Sequence, residues 1–170
     1  MNFREKYAYQ LLEKRYRNIR RKVKLSGFKN ATRVGIVWQW EDKEAFLYLS
    51  SFFKEKQIIL RNLCYTGLYS DPVANSFGKK ETNMFGFPKK GVADTFMEGG
   101  FDILMNITVN DCFPLDVVTA MSDAHFKIGR ADGRLNFFDL SVDICKNRNS
   151  LYLAKQQIHY IEQFNKKLTG

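Results

Sequence analysis

Four side chains able to do chemistry stand close together in this chain: Asn106, Thr108, Asn110 and Asp111, just after the apolar run Ile103-Leu104-Met105. Arg130 directly follows the next strand-like segment, 126–129. Amides, a hydroxyl, a carboxylate and a guanidinium suit a small polar ligand, with Asp111 as the group able to take up a proton. Lys127, Arg130 and Arg134, with Gly129 and Gly133 between them, suit an anion. Each has a plainer role. Asp111 precedes a helix and is expected to cap its first turn, and Lys and Arg in a turn mostly face solvent. His125 and His159 are the only histidines, and no nucleophile or orienting acid stands near either in sequence. There is no GxSxG and no GxxxxGK[ST], and VWQWEDKE occupies the place of a GxGxxG. No catalytic residue is therefore assigned, no cofactor is expected, and the balance leans away from an enzyme.

Charge points elsewhere. Residues 1–30 hold ten Lys and Arg against Glu5 and Glu13, a net +8 out of the chain's +9. The spacing predicts one helix over residues 3–25, with Ala8, Leu12, Tyr16, Ile19 and Val23 on an apolar stripe and a stop at Ser26-Gly27. Arg17, Arg20, Arg21 and Lys24 fall on the other side. They are expected to engage an anionic partner, either RNA or an anionic membrane surface.

These groups need elements to position them. Residues 33–40 read as a buried strand, and Glu41, Asp42 and Glu44 open a helix. A second strand covers 57–65. Residues 66–100, punctuated by Gly and Pro, are irregular, with a short strand or turn at 84–87 and a short helix at 92–97. Residues 101–130 read as strand, helix, strand, which places Asn106 to Asp111 outside a strand's carboxyl end, where open α/β sheets bind ligands. Leu135 to Ile144 alternates as an edge strand. Ser150 is expected to cap a closing helix whose stripe is Leu151, Ala154, Ile158, Ile161 and Leu168.

Together these predict a three-layer, Rossmann-like α/β sandwich with a mostly parallel sheet of about five strands. Residues 1–30 would form an appended basic amphipathic helix, and residues 31–170 a single domain. Cys64, Cys112 and Cys145 are odd in number and widely spaced, so neither a disulfide framework nor a structural metal is expected. No apolar run approaches the ~20 residues of a membrane span, and the N-terminus lacks a secretory apolar segment. A cytoplasmic protein is expected, with self-association into a homo-oligomer left open.

The order FDILMN, FPLDVVTAMSDAHFKIG, FFDLSVDI resembles a family of short uncharacterised proteins found in Bacteroidetes. Its members share a basic N-terminal helix and a pattern like FDLLIN…PL…S.A.FKVG. Phe101, Asp102, Leu104, Asn106, Pro114, Leu115, Ser122, Ala124, Phe126, Lys127 and Gly129 carry the match, with Phe85-Gly86-Phe87-Pro88 upstream. That resemblance implies a fold and no activity. FDILMN…TAMSDAHFKIGR also looks like a segment of heptosyltransferase-type glycosyltransferases, which implies shared half-domain architecture. The first expectation is thus a non-catalytic binding or assembly protein whose basic helix holds an anionic partner. The alternatives are a small-ligand enzyme or sensor using Asn106, Thr108, Asn110, Asp111 and Arg130, or a degenerate glycosyltransferase-like half-domain.

Overall fold

Six strands and five helices follow one another in an α/β rhythm in the computed structural model, which describes residues 1–168; the side chain of Leu168, expected on the last helix's stripe, lies outside the described residues. The order is α1 (Phe3–Arg17), β1 (Arg33–Gln39), α2 (Lys43–Glu55), β2 (Ile59–Gly67), β3 (Ser76–Gly78), α3 (Asp94–Met97), β4 (Ile103–Asn106), α4 (Phe113–Met121), β5 (Lys127–Arg130), β6 (Leu140–Val142) and α5 (Ser150–Leu168). The strands lie in the order β3-β2-β1-β4-β5-β6, and every pairing is parallel. This is the strand order of a doubly wound sheet, with its topological switch point between β1 and β4.

Burial on both faces explains the strand sequences. All four residues of β4 are buried, as are Val34 to Trp38 of β1, as expected of a parallel sheet covered by helices. On one face α2 and α5 pack Leu49, Phe53, Leu153 and Ile161 against Val34, Ile36, Ile103 and Ile128. On the other, α3 and α4 pack Phe96, Leu115 and Val118 against Val37, Leu63 and Leu104. α1 adds an outer layer, setting Ala8 and Leu12 against Val117 and Ala120 of α4, with Phe87 and Phe137 beside them.

Several expectations change. The sheet has six strands, not five, because β3 is three residues long and sits in the glycine-punctuated stretch without an apolar run to announce it. The turn expected at 84–87 is present, behind an isolated Thr82–Pro88 bridge, and the short helix expected at 92–97 covers 94–97. Cys112, not Asp111, stands at the N-cap of α4 and makes no side-chain cap. Asn149, not Ser150, caps α5 by accepting from the Tyr152 N–H at 3.0 Å.

The largest change is at the basic N-terminus. α1 stops at Arg17, and residues 18–32 form an irregular strap, with a turn at 28–30, along the amino edge of the sheet. Tertiary hydrogen bonds override the helical pattern there. The Lys24 N–H donates to the His125 carbonyl at 3.0 Å. The Arg21 guanidinium donates to the carbonyls of Ala124 and His125 and pairs with Asp139 at 2.6 Å. Val23, placed on the apolar stripe by its spacing, is 59% exposed. Gly27 does not adopt a left-handed cap; a Cβ there would overlap the Asn165 side chain of α5.

Arg20 and Arg21 are equivalent by sequence and opposite by structure. Arg21→Ala is expected to destabilise the fold by about 1.5–3 kcal/mol through lost charge-assisted hydrogen bonds. Arg20→Ala, at an exposed position, should stay within about 0.5 kcal/mol. Urea unfolding of the two variants measures the difference.

Candidate functional site

The residues expected to hold a ligand do converge at the carboxyl edge of the sheet, but they satisfy one another. The Asn106 amide donates to Thr119 Oγ1 at 3.1 Å, and its Oδ1 accepts from the Thr108 N–H and hydroxyl at 3.0 and 2.7 Å. Its carbonyl accepts from Gln157 Nε2 at 2.8 Å. Asn106 and Thr108 thus form a buried knot that ties β4 to α4 and α5. Asn110 stands apart and exposed, with Glu41 Oε1 at 3.4 Å.

Asp111 and Arg130 belong to a chain of ion pairs. Arg130, 7% exposed, bonds Asp111 on one side and Asp132 on the other. Asp111 also takes Arg134 at 3.1 Å, and Arg134 reaches Glu5 of α1 at 3.6 Å. Asp132 takes Arg148, which donates to the Val109 carbonyl at 2.6 Å. Burial alone would raise the Asp132 carboxyl, but its bonds to Arg130 and Arg148 prevail and hold it below the usual carboxylate range. The free space among Asn106, Thr108, Asp116, Arg130, Phe137 and Phe138 is about 10 Å³, room for no more than one water. Asp111 does not cap α4; its carboxylate is held by Arg130 and Arg134.

Asp116 lies beneath this network, where it accepts from the Tyr9 hydroxyl at 2.8 Å. Burial pushes its carboxyl up to about 6, against the lowering effect of Tyr9 and Arg130. Lys127 is not part of an anion grip. It is fully buried, and its Nζ donates to the Ala120 carbonyl at 2.9 Å. Burial, helped by the nearby Arg21 charge, lowers it from 10.5 to about 7.

The amino edge is different. The α2 and α5 helices both run down from the strands' carboxyl ends and finish beside the strap. Lys54 and Lys56 at the end of α2, and Lys166 and Lys167 at the end of α5, therefore lie on the same side of the sheet as the strap, which carries Arg20, Lys22, Lys24 and Lys29. All eight are exposed, and none forms an ion pair among the described residues. A groove of about 550 Å³ opens here between Phe28, Lys29, Lys56, Glu162, Asn165 and Lys166. Each helix C-terminus contributes roughly half a negative charge, far less than these cations supply. Of the four residues first singled out, Arg20 and Lys24 stay open on this face, Arg17 is paired with Glu13 at 2.7 Å, and Arg21 is consumed by the fold. The lysines at the helix ends carried a signal, their place in a last helical turn, but only parallel topology brings them together.

An all-parallel, doubly wound α/β domain with its carboxyl crevice closed by its own ion pairs is the class these features define. The chain belongs to a family of unknown function, DUF6913, whose model matches residues 4–164 and so takes in α1 and the strap as well as the sheet. No curated protein and no solved structure matches it. Among the described residues no helix is long and apolar enough to cross a membrane.

Lys127 makes a pH-dependent prediction. Its folded value of about 7 lies below its ordinary 10.5, so the unfolded chain binds more protons in between, and stability is lost as pH falls from 10.5 toward 7. Lys127→Met should remove this slope. Its stability relative to the natural protein should be greatest at or below about pH 7 and decline toward pH 10.5, as read by urea unfolding across that range.

Proposed function

We propose that this protein is a non-catalytic binding module whose amino-edge face holds a polyanion, a single-stranded stretch of RNA. The observation that carries the reading is a groove lined by Lys29, Lys56 and Lys166 against a single acid, Glu162, with five further exposed cations on the strap and the ends of α2 and α5, none of the eight in an ion pair among the described residues. Phosphates neutralised by such a face release counterions, and this supplies most sequence-independent affinity. A bilayer is the weaker candidate. The amino-edge face exposes two large aliphatic side chains, Val23 and Ile59, a small apolar area where surface insertion needs an apolar face beside the charge. A small-ligand enzyme using Asn106, Thr108, Asn110, Asp111 and Arg130 is disfavoured by the filled space around Arg130. The likeness to half of a heptosyltransferase-type enzyme rests on the order of β4, α4 and β5 and supports a scaffold role. A Bacteroidetes origin belongs to the same resemblance. A cytoplasmic site of action fits both an RNA partner and three free cysteines.

Fluorescence anisotropy with a labelled oligouridine tests the reading. The logarithm of affinity should fall with the logarithm of salt at about −0.7 per contacted phosphate. Lys29→Glu, Lys56→Glu and Lys166→Glu combined should abolish binding, while Lys6→Glu on α1 should leave it nearly unchanged. Undiminished binding by the triple variant overturns the proposal, as does tighter association with phosphatidylserine vesicles than with RNA.

A further inference from the structure

A second opening lies at the opposite end of the molecule from the basic groove. It is a cleft of about 590 Å³ between the start of α1 and the turn that follows β3, outside the carboxyl end of β2. We infer that this cleft is a binding site for a small molecule carrying an anionic head group, a phosphate or a carboxylate. Arg4 reaches it from α1 and Lys79 from the turn, two cations from distant parts of the chain with no ion pair among the described residues. Tyr65, from the end of β2, and Asn83 add uncharged donors, and Phe85 and Pro114 supply apolar wall. The volume falls within the range of small-molecule sites, which combine apolar lining with a few polar groups.

The turn is built before any ligand arrives. Asn83 Oδ1 accepts from the N–H groups of Phe85 and Phe87 at 2.9 and 3.1 Å, which leaves its Nδ2 as the uncommitted donor. The Asn83 N–H donates to the Phe87 carbonyl at 2.8 Å, and the Lys89 N–H to the Glu81 carbonyl at 2.8 Å. Gly86 has φ +91°, and a Cβ there would press on the Phe113 ring at 2.9 Å, so glycine is required for the turn to seat against α4. The one acid on the lining, Glu5, faces Arg134, so the cleft keeps a net positive charge. The Asn83 turn is fixed before binding, so its donor loses little freedom when a ligand arrives. The cleft lies on the carboxyl side of the sheet, the side on which doubly wound folds take ligands, but beside β2 and away from the switch point between β1 and β4. With the space around Arg130 filled, this cleft is one of the places where that edge remains open.

Nitrogen-15 spectra of the full chain, titrated with inorganic phosphate and separately with succinate at constant ionic strength, test the site. Saturable shifts confined to Arg4, Tyr65, Asn83 and their neighbours are expected with one or both probes, and the effective probe assigns the head group. Arg4→Ala and Lys79→Ala, both at exposed positions, should each weaken the response about tenfold without altering the rest of the spectrum. Shifts that never saturate, that persist in both variants, or that appear only around Lys29 and Lys56 overturn the inference.

Discussion

Arg130 holds two carboxylates at once, and the carboxyl edge of the sheet closes because of it. Asp111 comes from the loop before α4 and Asp132 from the turn after β5. Through Asp111 the guanidinium is linked to Arg134 and on to α1, and through Asp132 to Arg148 and the approach to α5. A planar guanidinium with five donors can do this, and a lysine ammonium cannot hold the same fork. The pairing is partly buried, so removing one partner would leave a charge that water cannot readily reach. The ion chain therefore determines where the sheet's ligand edge is shut and where it stays open.

The consequence is a molecule with unlike ends. At the switch point, where a doubly wound sheet ordinarily opens a crevice, Asn106, Thr108 and Thr119 satisfy one another's polar groups and leave no room. At the amino edge, helix ends and the strap leave a surplus of lysines in solvent. The same topology accounts for both. Parallel strands put every strand's carboxyl end on one side, and the helices that return must all finish on the other.

The core of the fold was legible in the amino-acid pattern. Ile103 to Met105 and Val34 to Trp38 are uninterrupted apolar runs that only a two-faced burial explains, and Leu49, Phe53, Ile158 and Ile161 fall at helical spacing. β3 was hidden because three residues, Ser76-Phe77-Gly78, have no period to detect. The strap was hidden because its sequence continues the helical spacing of α1, while the carbonyls that capture Arg21 and Lys24 lie about a hundred residues away.

The candidate site divides in the same way. Sequence alone determined which polar groups stand at strand ends and that +8 of charge belongs to the first thirty residues, because both are properties of order along the chain. Whether Asp111 caps a helix or clamps an arginine was decided only by tertiary structure, since the competing partners, Arg130 and Arg134, reach it from another part of the fold. The basic face was likewise decided by the fold. Lys29, Lys56 and Lys166 are far apart in the chain and become neighbours because a parallel sheet returns both helices to one edge.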